Sequence, residues 1–215
     1  MKKLFIVSAI CIAFQFNSAA QKARFGITAG VAFSNYAMKF NGVSVSGKSM
    51  TGFTAGLLGD IPLGKFFSLQ PAVHFVQYGT LVESVFSNNS IRDEVKVNGI
   101  EVPVNCVYNI PAGKGRVYLG AGPAITFHLS GKRKSYDIYD GDSEKVFVFG
   151  SDENADMKKT NIGANFIAGY CFSNGLTASL NYNIGFKNLE PGTSSDESTK
   201  SHYFGIRIGY FIGSK

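Results

Sequence analysis

Arg116-Val-Tyr-Leu-Gly-Ala-Gly-Pro-Ala-Ile-Thr-Phe-His-Leu-Ser130 separates into two lists when every second residue is taken. Val117, Leu119, Ala121, Pro123, Ile125, Phe127 and Leu129 fall on one face; Arg116, Tyr118, Gly120, Gly122, Ala124, Thr126, His128 and Ser130 fall on the other. A period of two marks a strand, because successive side chains point to opposite faces. Strands of soluble proteins usually run about 5–6 residues, whereas a tilted strand that crosses a bilayer needs roughly 9–11. This stretch suits the second case, with a greasy face for lipid and a small or polar face for an interior.

The same alternation recurs along the chain. It predicts strands at about Arg24–Tyr36, Thr51–Ile61, Phe66–Tyr78, Asn98–Asn109, Arg116–Ser130, Thr160–Phe172, Leu176–Phe186 and His202–Ile212. Helix signals are poor, because Gly, Thr, Val and aromatic residues interrupt every 3.6-residue period. The connections alternate too. Those after the second, fourth and sixth strands are short, while Ala37–Met50, Gly79–Val97, Gly131–Lys159 and Asn188–Ser201 are long and polar. Short turns on one rim and long loops on the other are how outer-membrane barrels are built. A soluble up-and-down barrel would put its apolar residues inside. Here Gly, Ser, Thr and Asn suit a narrow packed lumen, and the Phe- and Leu-rich face suits hydrocarbon. Lipid cannot satisfy an open sheet edge, so the sheet must close. The expected fold is all-β, an eight-stranded antiparallel transmembrane β-barrel.

Residues 1–20 read as an export signal: Lys2 and Lys3, an apolar Leu4–Phe16, and Ser18-Ala19-Ala20 as the cleavage site before Gln21. Residues 21–215 are then the barrel domain of an outer-membrane protein of a Gram-negative bacterium. The 215-residue chain carries a net charge of +6, two units of it from Lys2 and Lys3. No basic helix or aromatic-plus-basic cluster argues for nucleic acid. Cys106 and Cys171 face opposite sides of the wall by parity, which argues against a disulfide.

Asp60, Glu101, Arg116 and Arg207 fall on the inward parity, with Arg24 and Lys187 near it. Eight strands leave an interior just wide enough for side chains, so these charges are expected to pair as a plug. Lys132, Arg133 and Lys134, just past the fifth strand, are candidate contacts for lipopolysaccharide phosphates. His128 and Ser130 share one predicted face, with Asp137 or Glu153 as a third member, and so resemble a nucleophile with its base. Their neighbours do not otherwise fit catalysis, and no catalytic residue, cofactor or metal site is assigned. The acidic run Asp137, Asp140, Asp142, Glu144, Asp152, Glu153 and Asp156 does not follow the EF-hand spacing and reads as a solvated loop. Gly120-Ala121-Gly122 lies inside a strand without a following helix, so it is no dinucleotide loop.

Four segments in order carry a family likeness: Phe67-Ser-Leu-Gln-Pro71, Ile100-Glu-Val-Pro103, Arg116-Val-Tyr-Leu-Gly-Ala-Gly-Pro123 and Leu180-Asn-Tyr-Asn-Ile-Gly-Phe-Lys-Asn-Leu189. Together they resemble the PorT family of small outer-membrane β-barrels. That resemblance implies residence in the outer membrane and, for the named member, an accessory role in protein secretion to the cell surface. The expected function is a non-enzymatic outer-membrane protein acting structurally or as a secretion accessory through its extracellular loops and rims. The expected partners are outer-membrane lipid, lipopolysaccharide, and a secretion-machinery or surface protein. A narrow small-molecule conduit or ligand binder using the lumen is the alternative, and a lipid-modifying enzyme a further one.

Overall fold

The computed structural model of the chain describes residues 23–212 apart from 41–42, 87–88, 138–140, 153 and 193–196; for strand residues 40, 43–46, 84–86, 89–91 and 137 it describes the backbone alone. The predicted export signal lies outside the described residues. One antiparallel sheet contains β1 (Arg24–Phe40), β2 (Val43–Ser46), β3 (Lys48–Pro62), β4 (Phe67–Phe86), β5 (Asn89–Ala112), β6 (Gly115–Asp137), β7 (Ser143–Val146), β8 (Thr160–Cys171), β9 (Leu176–Gly185) and β10 (Ser198–Ile212). The wall runs β1-β3-β4-β5-β6-β8-β9-β10, and β10 pairs back onto β1 from Phe25↔Ile212 to Lys39↔Ser198. The sheet therefore closes into an eight-stranded barrel. β2 and β7 are short strands laid against the ends of β1 and β6.

The two faces are those the alternation dictates. On β6, Leu119, Ile125, Phe127 and Leu129 are exposed, while Tyr118, Ala124, Thr126 and His128 are buried. Phe25, Leu57 and Ile208 are 70%, 63% and 63% exposed on the outer face of neighbouring strands. A large apolar side chain left in water forfeits roughly 1.5–3 kcal/mol. A wall so clad on every side belongs in hydrocarbon. Inside, Asn105, Asn165, Asn181, Thr126 and Thr177 are buried. Aromatic pairs gather near the short-turn rim, with Phe67–Tyr108 centroids at 5.1 Å and Tyr170–Phe172 at 4.7 Å. They suit the aromatic girdle of a bilayer interface.

Turn chemistry explains the short rim. Gly113 sits at φ 58° between β5 and β6, and Gly175 at φ 90° between β8 and β9, a region other residues rarely adopt. Gly122, inside β6, answers a different need: a Cβ there would lie 1.9 Å from the Val104 carbonyl oxygen.

Two features differ from the sequence reading, the first being that the long connections are partly strand. Ala37–Met50 holds the end of β1, all of β2 and the start of β3, Gly131–Lys159 holds the end of β6 and all of β7, and Asn188–Ser201 holds the start of β10. The segment Gly79–Val97, expected as a loop, is largely a hairpin, paired from Gly79↔Lys96 out to Phe86↔Asn89. With 24 residues, β5 spans about 80 Å at ~3.3 Å per residue, far more than the bilayer requires. Beyond lipid a strand needs no greasy face, so its alternation fades and it reads as loop. The second difference is a bulge. Ser130 pairs Asn98 while His128 pairs Gly99, which leaves Leu129 as an extra residue on β6 and reverses the parity beyond it.

Candidate functional site

The barrel brings inward-facing charges from neighbouring and from distant strands into two clusters. Near the short-turn rim, the fully buried Asp60 of β3 receives Arg24 of β1 at 2.5 Å and Arg116 of β6 at 2.7 Å. Gln70 Nε2 donates to the other carboxylate oxygen at 3.1 Å. Arg24 also stacks over the Phe211 ring at 4.6 Å. Deeper in the lumen, Glu101 of β5 accepts from Tyr203 Oη at 2.6 Å and Tyr78 Oη at 3.2 Å. Arg207 of β10 lies 3.8 Å from the same carboxylate, donates to Tyr203 Oη at 2.8 Å, and approaches His74 Nδ1 at 3.3 Å. An arginine only donates, so His74 Nδ1 is the acceptor and its proton sits on Nε2. Asp60, Glu101, Arg116 and Arg207 thus each meet an opposite charge, in two pairings that sequence could not assign. Tyr78, Tyr203, His74 and Gln70 complete these clusters. Inward parity was their available signal, but nothing local marked them as partners.

Toward the long-loop rim apolar side chains gather. Tyr36, Val76, Tyr78, Val97, Met157, Leu189 and Tyr203 form a buried cluster, and Phe147 and Phe149 pack against it. The segment after β7 is what folds in. Phe147 N–H donates to Gly131 O at 2.8 Å, and Phe149 bridges to Met157. Its fold is clamped by Asp156, which takes Lys145 Nζ at 2.5 Å and the Val148 N–H at 3.0 Å. Those two bonds, the lysine first, hold the Asp156 carboxyl below its ordinary range.

The basic stretch beyond the bulge is only partly free. Lys132 and Lys134 straddle Glu144 of β7 at 3.4 Å and 3.2 Å. The Lys134 bond lowers the carboxyl's pKa and raises the lysine's. Arg133 is exposed and has no carboxylate within 4.0 Å among the described residues.

The bulge at Leu129 separates the pair whose shared face suggested a nucleophile and base. His128 is buried and donates from Nδ1 to Lys158 O at 2.8 Å, whereas Ser130 is exposed and accepts from Asn98 Nδ2 at 3.0 Å. The expectation of a common face is therefore corrected: the extra residue turns Ser130 away. The Asp137 side chain and Glu153 lie outside the described residues, as does Asp140. In the rest of the acidic run, Asp142 and Asp152 are exposed, Glu144 holds its lysines and Asp156 its clamp. Among the described residues no three His, Cys, Asp or Glu side chains gather as a metal would require. Cys106 is exposed and Cys171 buried, both as free thiols.

A family model described as an outer membrane protein beta-barrel domain matches residues 15–190. Among solved structures the chain is similar to Ail, the attachment invasion locus protein of Yersinia pestis, at 14% identity over 88% of this chain and 100% of that one, with a TM-score of 0.41. Neisserial surface protein A is similar at 13% identity, over 88% and 99%, with a TM-score of 0.42. OprG from Pseudomonas aeruginosa is similar at 13% identity, over 88% and 96%, with a TM-score of 0.42. No curated protein matches. A model that spans most of the chain, on a wall that is greasy outside and polar within, places this protein in the outer membrane β-barrel family, resident in the outer membrane.

Proposed function

We propose that this chain is a non-enzymatic, non-conducting outer-membrane protein that works from its long-loop rim outside the cell, as a structural or secretion-accessory factor of the PorT kind. The observation that carries the reading is the packed lumen. Phe147 and Phe149 pack against the buried cluster that includes Met157, Leu189 and Tyr203 at the outer mouth, and two ion-paired clusters lie in the barrel below. On this reading the barrel has no open path, and what the protein offers a partner is its outer surface. There β4, β5, β6 and β7 extend past the wall as a sheet. Arg133 is the best placed of Lys132, Arg133 and Lys134 to meet a lipopolysaccharide phosphate, because Glu144 occupies the two lysines.

On the same reading residues 1–20 are removed on export, and the purified protein begins at Gln21. Planar-bilayer recording of the purified barrel should give no steady conductance. Large stable openings would refute the plug and favour a small-molecule conduit. Cells lacking the protein should lose surface delivery of secreted proteins while their membrane permeability stays unchanged. Normal secretion in such cells would refute the accessory role.

A further inference from the structure

Between the two charged clusters the lumen holds a cavity of about 30 Å³. A single buried water needs roughly 10–15 Å³ on this measure, so the space takes two or three water-sized particles. Its walls include Thr28, Gln70, His74, Asn105, Asn181 and Arg207, but neither Asp60 nor Glu101. One cation therefore borders the cavity and no carboxylate does. Two of the lining residues carry a buried atom with no hydrogen-bond partner among the described residues, Arg207 at Nε and Thr28 at Oγ1. Arg207 is only 3% exposed, so its unmet N–H cannot turn to solvent. His74 adds a donor, since its Nδ1 is engaged by Arg207 and its proton must sit on Nε2. The charges around the cavity lean the same way. The two clusters hold three guanidinium groups (Arg24, Arg116 and Arg207) against two carboxylates, Asp60 and Glu101.

We propose that this cavity is a binding site for a small monovalent anion of chloride size, held by Arg207 and Thr28. A buried donor left unmet costs about 1–3 kcal/mol, and more when it is charged. An anion meets both donors at once and offsets the surplus positive charge. Sulfate and larger oxyanions are too big for the space.

Bromide is the probe. The full-length barrel, refolded and crystallised from detergent in sodium bromide, should show an anomalous peak within hydrogen-bond distance of Arg207 Nε and Thr28 Oγ1. In solution, replacing sodium gluconate by sodium chloride at equal ionic strength should raise the unfolding temperature in a saturable way. Thr28→Val keeps the shape of the site, removes one donor, and should lose at least half of that rise. Ordered water alone in the cavity, with no bromide signal, would overturn the proposal. So would a chloride effect that Thr28→Val leaves intact.

Discussion

Removing both partners of the Glu101–Arg207 pair should cost less than the two single removals added together. The charged atoms lie 3.8 Å apart, with the side chains 0% and 3% exposed. At an effective dielectric of about 20, two unit charges at that distance attract by about 4 kcal/mol. Desolvating both groups offsets much of this, so the pair adds little net stability. Removing one partner is different, because the other charge stays in the lumen without its counterion, at a cost of about 3–5 kcal/mol. Glu101→Leu is the harsher single change, since it also strips the acceptor from Tyr78 and Tyr203. Arg207→Met leaves the carboxylate with both tyrosine donors. The double variant removes both charges and should be less destabilised than the two singles added together, by on the order of 2 kcal/mol, within the ~0.5–3 range of contacting pairs. The chain has no tryptophan, so urea unfolding of the barrel in vesicles is best followed by far-UV circular dichroism and by the gel shift between folded and unfolded forms. A double variant as unstable as the sum of the singles would show that the two charges are not coupled, and the account of this cluster would fail.

Other outcomes follow from the same geometry. Asp60→Ala leaves Arg24 and Arg116 without their shared counterion; their partial exposure, 21% and 25%, keeps the loss near the lower end, about 3 kcal/mol, and unchanged urea stability would contradict it. Gly122→Val forces a side chain against the Val104 carbonyl, 1.9 Å from the Cβ position, and should cost at least the ~1–3 kcal/mol of an overpacked core; normal folding yield and stability would argue against the close approach. Asp156 is held below its ordinary value by Lys145, so its clamp is complete above that value and is lost only as pH falls through the lowered one. The protection factors of amides in residues 147–152 and 154–157, each rate taken relative to the intrinsic exchange rate at the same pH, should therefore stay constant from neutral pH to about 5 and fall only in stronger acid; a loss of protection near pH 6 would point to another group.

Much of this protein is written locally in its sequence, and some of it is not. Alternation at a period of two marked the eight wall strands and sent Asp60, Glu101 and Arg207 inward, because neighbouring residues on a strand must face opposite media. Where the medium is the same on both sides, the signal vanishes. The outer halves of β4 and β5 stand beyond lipid, and their polar residues looked like loop although the backbone stays paired. The bulge at Leu129 was invisible for a related reason: a single extra residue changes no composition, yet it turns Ser130 away from His128.

Sequence by itself determined a closed wall, its lipid face and its lumen face, since a strand in hydrocarbon has no other way to satisfy its backbone. Only the tertiary structure decided that Asp60 meets Arg24 and Arg116 while Glu101 meets Tyr78, Tyr203 and Arg207. Arg24 and Tyr78 reach their carboxylates from the neighbouring strand, but Asp60–Arg116, Glu101–Tyr203 and Glu101–Arg207 cross the barrel between strands that do not pair. They depend on the stagger between strands, which no single strand's sequence encodes.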